Sequence, residues 1–414
     1  MTIEIIAIGD ELLNGITINT NAAFISRSLS TKGYQVSRHT VLPDRPYRLE
    51  EGLKEALARS TIVITTGGLG PTCDDITRDV AANLFSSSFH TDEEVEKELR
   101  ARYGDGLKSL SNQSWVPVKA VLLKNRVGTA RGLLFSEQGK TLVLFPGVPQ
   151  EMQPMFEEQF LPLLPKYYAK TEEVISKIVH FGLLTEDSVD PMLRDLQLRF
   201  PQVEFGIYPG YGVLSVRITS KEVYAIDLCK EALEQKFTTF LFEESEGKIE
   251  KAIHTVFTEK KLTLACAESC TGGQLAAKLT GVPGASHYFL ASLITYSDAM
   301  KQILLGVEPN TLSQYGAVSR ETVIEMVTGL LQRTGADIGL AVSGIAGPDG
   351  GTKEKPVGTV WIAIAIKGEV PQTLRLQLKG SRETITVSAV QRTLFFLWRL
   401  LAKHSSLTQW ELPQ

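Results

Sequence analysis

Twice in this chain a short apolar run ends in a glycine-rich loop that opens into a helical pattern, and this limits the fold more than any other feature. Ile62-Val-Ile-Thr-Thr66 is followed by Gly67-Gly68-Leu69-Gly70 and a helix over residues 76–85. Leu262-Thr-Leu-Ala-Cys266 leads to Thr271-Gly272-Gly273 and another helix. A five-residue run bounded by turn residues fits a buried parallel strand, and strand, loop and helix in that order are the repeating unit of α/β proteins. Around the first run the pattern predicts a strand at 3–8, a helix capped by Asn19-Thr20-Asn21 and ending at Gly33, a strand at 36–42 and a helix at 48–59. The expected product is a parallel sheet covered on both faces, with Leu142–Phe145 as one more strand.

Period-2 stretches at 174–179 and 213–219, after Pro162 and Pro165, mark a change to a small α+β module. From about Gly247 the α/β pattern returns, with a helix at 249–260, strands at 290–296, 338–342 and 358–366, and a closing amphipathic helix at 382–403. The expected fold class is therefore α/β, with two three-layer α/β/α domains (1–165 and 247–414) joined by a small α+β domain (166–246). With 414 residues, 43% of them hydrophobic, there is enough chain for two or three full cores.

Composition excludes several functions. The longest uninterrupted apolar runs, such as Ile362–Ile366 and Leu394–Trp398, fall far short of the roughly 18 residues of a membrane span. Glu4 and Asp10 stand where a secretory signal would carry basic residues, so the cytoplasm is the expected compartment. A net charge of -4 supplies no global field for a nucleic-acid backbone. Cys73, Cys229, Cys266 and Cys270 form no CxxC pair, which argues for reduced packing thiols rather than zinc or disulfides.

Several polar loops should converge on one edge of the first sheet, where open α/β sheets bind ligands. They are Gly9-Asp10-Glu11 through Gly15, Asn21 in the helix cap, the Gly67-Gly68-Leu69-Gly70-Pro71-Thr72 loop, and Pro146-Gly147. Glycines let backbone approach an anion, and a helix N-terminus favours it. Asp74 and Asp75 would repel a phosphate unless a hard divalent cation lies between them; otherwise one of them caps the next helix. In order, GDELLNG, NTNA, TTGGLGPTCDD, NRVGTARG and FPGVPQEM resemble the molybdopterin-binding-like domain of the CinA (competence/damage-inducible) family over about residues 1–165. Arg131 stands where proline or cysteine is usual. The resemblance implies a metal-dependent ADP-ribose pyrophosphatase using Mg2+, Mn2+ or Co2+ at Asp74 and Asp75.

In the last domain Ala267-Glu-Ser269-Cys270-Thr271-Gly272-Gly273 lies between a strand and a helix, where free backbone N–H groups can cradle a phosphate or an oxyanion. Ser269, Cys270 and Thr271 are all candidate nucleophiles. No histidine lies in these loops, and His287 reads as a surface or packing residue. A lysine desolvated in a closed pocket can act as base for a serine, which makes Ser269 with Lys301 the leading pair and Cys270 its rival. AESCTGG, VPGAS, YFLASLITYSDAMK, YGAVS, SGIAGPDGG and KPVGTV resemble the C-terminal CinA domain over about residues 248–403.

That resemblance implies a nicotinamide mononucleotide deamidase without a cofactor. Ser269 attacks the carboxamide, Lys301 handles the proton, and Tyr296 and Thr271 assist. Gly272 and Gly273, Ser343, the Gly344 to Gly347 loop with Ala346, and Arg382 contact substrate. It further implies a KH-like middle domain and a homodimer. The middle segment carries seven Lys/Arg against thirteen Asp/Glu over 171–245, and has no basic GxxG loop, which argues against RNA binding. The rival reading is a non-catalytic competence or recombination partner protein.

Overall fold

The computed structural model describes residues 2–72, 75–104, 106–167 and 175–403. It groups the chain into two compact units, 1–174 and 175–414, so the small α+β segment belongs to the second.

In the first unit β1 (Ile3–Ile8), α1 (Thr20–Thr31), β2 (Val36–Leu42), α2 (Pro46–Arg59), β3 (Ile62–Thr66) and α3 (Thr77–Leu84) follow the predicted order. They are joined by β4 (Val121–Leu123), β5 (Gly132–Glu137), β6 (Lys140–Phe145) and α4 (Pro149–Met155). The sheet order is β2-β1-β3-β6-β5-β4. Five strands point the same way and β5 alone runs against them, antiparallel to both β6 and β4, a reversal that the reading as a parallel sheet omits. The reason is local: Gln138 and Gly139 both take positive φ, 50° and 76°, making the two-residue hairpin that reverses β5 into β6.

Alternate residues serve opposite layers. Ile3, Ile5, Ile62, Ile64 and Val143 pack with Ile25 and Leu29 of α1 and Met152 of α4. Ile6, Ile8, Val63 and Leu144 pack with Leu49 and Leu53 of α2 and Val80 of α3. The parallel register pairs Ala7 with Thr66 and Thr66 with Phe145, so Gly9, Gly67 and Pro146 start their loops side by side.

The second unit opens with an antiparallel sheet of order β8-β9-β7-β10, formed by β7 (Ile175–Gly182), β8 (Glu204–Pro209), β9 (Val213–Ser220) and β10 (Leu241–Phe242). Helices α5 (Glu186–Arg199) and α6 (Val223–Lys236) cover one face of it through Val189, Leu193, Ile226 and Leu233. A five-stranded sheet follows, built from β11 (Leu264–Glu268), β12 (Phe289–Ile294), β13 (Ile338–Gly344), β14 (Thr359–Ile366) and β15 (Gln372–Gln377). Its order is β12-β11-β13-β14-β15, with the first three strands parallel.

Around this sheet lie α7 (Ile249–Lys260), α8 (Gln274–Thr280), α9 (Asp298–Leu305), α10 (Arg320–Thr334) and α11 (Arg382–Lys403), with a short helix over Pro309–Tyr315. Alanines 265, 267, 341, 363 and 365 admit α10 closely on one face, while larger residues meet α7 and α11 on the other. By length and apolarity residues 382–402 of α11 could cross a bilayer, a property the count of unbroken apolar runs misses. Leu394, Phe395, Phe396 and Leu397 are instead buried in the core, as is 67% of the apolar window.

Strand β11 begins two residues later than its apolar run suggests, because the N–H and Oγ1 of Thr263 donate to Asp337 Oδ2 at 2.8 and 2.6 Å. At its other end the strand extends through Glu268, paired with Ile294 and Val342, and the Glu268 side chain is wholly buried.

Candidate active site

Glu268 organises the loop that follows it. Its carboxylate accepts the N–H groups of Gly273, Leu275 and Ala276 at 3.0, 3.1 and 2.9 Å, and the Ser292 hydroxyl at 3.1 Å. These are the donors that the start of α8 would otherwise leave unsatisfied. The expectation that this helix N-terminus offers free amides to a ligand is thus corrected: a protein carboxylate fills it. The sequence signal is a charged residue closing an otherwise apolar strand, since a buried carboxylate requires partners.

Ser269 follows directly, with its N–H on Val342 O at 3.1 Å. Lys301 comes from α9, whose first turn is capped by Ser297, and is 1% exposed. Its Nζ lies 3.1 Å from Ser269 Oγ, 2.9 Å from Thr295 O and 3.5 Å from Tyr296 O. Burial pushes the Lys301 amine below its ordinary value, against an opposing pull from Asp298 and Cys270. A neutral amine has two N–H groups and one lone pair. Carbonyl oxygens can only accept, so once Lys301 has lost a proton its two N–H groups can stay on them while its lone pair turns to the Ser269 hydroxyl. Cys270 lies in the same wall, yet burial raises its thiol to about 12, so it is not poised as a thiolate nucleophile.

These groups line a cavity of about 170 Å³ together with Tyr296, Asp298, Ala317, Val318, Ser343, Gly344, Ala346 and Arg382. Arg382 donates to Gly347 O at 2.8 Å and to the Tyr296 hydroxyl at 2.5 Å, bracing the rim. The Ser343 hydroxyl donates to Ala317 O at 2.7 Å and so holds the opposite loop. A Cβ on Gly344 would come within 2.7 Å of Val360 and 3.1 Å of Cys270 Sγ. Thr271, Gly272, Gly273 and Gly347 are not part of the cavity wall. Thr271 is buried, and its Oγ1 has no partner among the described residues. His287 is exposed and away from the cavity.

In the first unit the polar loops do meet. Asn21 Nδ2 donates to Gly147 O at 2.7 Å, and Gly67 N–H to Phe145 O at 3.0 Å. Pro146, beside them, is buried. Gly67 has φ 112°, and a Cβ there would lie 2.2 Å from Ile8 O, so only glycine fits against β1. Gly68, at φ 69°, packs as tightly on Thr77 Oγ1. Asn21 Oδ1, Thr65 Oγ1 and Thr77 Oγ1 are buried without partners among the described residues, a concentration that suits a polar ligand.

Asp75 Oδ2 accepts from Thr72 N at 2.9 Å and from Thr72 Oγ1 at 2.5 Å, with Gly70 against it. Asp10 donates its N–H to Asp44 and pairs with Arg45 at 3.4 Å, while Glu11 is exposed beside Gly9. Asp74 lies outside the described residues. Among those described, no group of three or more His, Cys, Asp or Glu is placed to hold a metal ion. An Asp75 oxygen completed by ligand phosphates is still a donor set that suits a hard cation. Arg131, the departure within GTARG, is nearly buried and pairs with Glu98 at 2.6 Å.

Residues 246–401 match the family model described as CinA C-terminal domain, and residues 4–166 match that of a probable molybdopterin binding domain. A protein named as competence-damage inducible in Clostridium acetobutylicum is 37% identical over 410 residues, covering 96% of this chain and 99% of that one. A CinA-like protein of Kosmotoga olearia is 36% identical over 411 residues, covering 97% and 99%. The crystal structure of the competence damage-inducible protein A from Klebsiella pneumoniae is 38% identical, covering 38% of this chain and 97% of its own, with a TM-score of 0.37.

Proposed function

The chain belongs to the CinA family, and from that premise we propose that it is a bifunctional hydrolase of pyridine nucleotides. The C-terminal site deamidates nicotinamide mononucleotide. The observation that carries this reading is the buried Lys301 amine, 3.1 Å from Ser269 Oγ and held by two carbonyls. Burying an amine costs free energy in either protonation state, and a base for Ser269 gives that cost a use.

Ser269 Oγ attacks the carboxamide carbon as its proton passes to Lys301 Nζ. The developing oxyanion faces the cavity wall, where the Ala346 N–H has no acceptor among the described residues. Lys301 returns the proton to the amide nitrogen, the C–N bond breaks, and ammonia leaves an ester on Ser269. Water then adds with its proton going to Lys301, the ester C–O bond breaks, and Ser269 Oγ is reprotonated as nicotinate mononucleotide departs. The sum is one water consumed and one ammonia released. Arg382 on the rim is suited to the 5′-phosphate. The test is mass spectrometry of the chain quenched during turnover: an acyl adduct on the peptide holding Ser269, absent from Lys301→Met, supports the scheme. Turnover without any adduct, or undiminished activity in Lys301→Met, contradicts it.

The N-terminal site, in the same reading, hydrolyses ADP-ribose to AMP and ribose 5-phosphate. Its supports are the three unpartnered buried polar atoms and the close-packed glycines. A divalent ion bound at Asp75, with Asp74 as the second expected ligand, would neutralise the pyrophosphate and polarise phosphorus. Gly67 and Gly68 let the loop pack directly on β1 and Thr77, Asn21 fixes the Gly147 loop, and Thr72 orients Asp75. AMP formation should cease with chelator and in Asp75→Ala; turnover without any divalent ion removes the metal from the account. A homodimer in the cytoplasm completes the proposal. A pure competence partner would leave the Ser269–Lys301 contact without a purpose.

A further inference from the structure

Three charged side chains line the C-terminal cavity, and two already have defined contacts. Lys301 is engaged with Ser269 and two carbonyls, and Arg382 with Gly347 O and the Tyr296 hydroxyl. The third, Asp298, opens α9 one turn before Lys301, is exposed, and has no ion-pair partner among the described residues. An aspartate in a first helical turn has an ordinary use in offsetting the helix dipole. That use does not require it to face the cavity that holds the nucleophile. A wall with one free carboxylate, and a guanidinium at the rim, is complementary to a ligand bearing one positive and one negative charge.

We infer that Asp298 is a specificity-determining residue that selects substrates whose reacting ring is cationic and disfavours retention of the carboxylate product. This inference rests on the deamidase reading. Nicotinamide mononucleotide carries a pyridinium ring and a phosphate, so Asp298 and Arg382 each meet a charge of opposite sign. Deamidation replaces a neutral carboxamide by a carboxylate, which Asp298 repels. Selection then acts at both ends of the reaction, by attraction of the cationic substrate ring and by loss of that net attraction once the product ring carries its own carboxylate.

The test compares nicotinamide mononucleotide with its reduced dihydropyridine form, whose ring is neutral. Binding of both is measured by calorimetry on the full chain carrying Ser269→Ala, with and without Asp298→Asn or Asp298→Glu. Turnover and inhibition by nicotinate mononucleotide are measured in the Ser269 background. Asp298→Asn should weaken binding of the cationic nucleotide about tenfold and leave the neutral form within twofold. Inhibition by nicotinate mononucleotide, whose pyridinium and carboxylate charges oppose each other, should change by less than about twofold, and Asp298→Glu should restore the preference. Equal losses for both ring forms, no loss, or a fall in kcat alone would overturn the inference, as would failure of nicotinamide mononucleotide to bind the Ser269→Ala chain. Cationic preference that depends on Asp298 in a chain that never releases ammonia would uphold the selector role and refute the deamidase reading.

Discussion

Glu268→Ala tests whether the loop bearing the nucleophile is built on one buried carboxylate. The substitution removes the acceptor of three backbone N–H groups and one hydroxyl. The Leu275 N–H is buried, and the Gly273 and Ala276 contacts are partly buried, so water replaces the carboxylate poorly at the first and incompletely at the others. An unsatisfied buried donor costs roughly 1–3 kcal/mol, which places the loss at about 3–5 kcal/mol for the set. Against a total of roughly 5–15 kcal/mol for a folded domain, this is a large share of stability. Glu268→Gln, which keeps the volume and one acceptor oxygen, should lose about half as much. Hydrogen exchange of the peptide spanning residues 269–280, alongside urea unfolding, separates local from global effects. Turnover should also fall on the order of 100-fold, because a misplacement of about 1 Å at a nucleophile has that effect. A loss below about 1 kcal/mol, with unchanged exchange across those amides, would refute the reasoning.

Further expectations follow from the same geometry. Because burial lowers the Lys301 pKa, ammonia release should rise with pH through that lowered value and then level off, and a pH–rate profile checks it. Between the folded and unfolded Lys301 values the unfolded chain binds more protons, so this group makes stability rise with pH across that window, measurable by urea titration. With its thiol at about 12, Cys270 has a thiolate fraction on the order of 0.0001 at pH 8, so iodoacetamide should leave ammonia release intact and Cys270→Ala should stay active. Inactivation that tracks Cys270 alkylation would reopen the thiol as nucleophile. Gly329→Ala would place a Cβ 1.7 Å from Leu305 O, forcing α10 away from the helix that carries Lys301. It should cost about 1–3 kcal/mol in unfolding measurements and lower kcat more than it raises KM.

What could be read from the sequence was set by the range of the forces involved. The closing helix, with bounds Arg382 and Lys403, is legible because its apolar stripe is a local signal. Ser269 and Lys301, 32 residues apart, could be paired because one follows a strand and the other opens a helix after the neighbouring strand, which sets both at one sheet edge. Glu268 was hidden by its place in an apolar run that propensity alone ends at Cys266. Its role is fixed by tertiary contacts with Ser292 and the start of α8. The β5–β6 hairpin was signalled only by Gln138-Gly139, a weak turn pair. Strand β15, Gln372–Gln377, has a single buried residue and thus a faint pattern. Asp298 gave no sign, since an aspartate at a helix start is ordinary and only the cavity singles it out.

Ammonia release from nicotinamide mononucleotide by the full chain tests whether the C-terminal site is a metal-free serine amidohydrolase with lysine as its base. Release should persist with chelator present and be lost in Ser269→Ala with the fold intact. Release that survives Ser269→Ala, or that disappears with chelator, would contradict it.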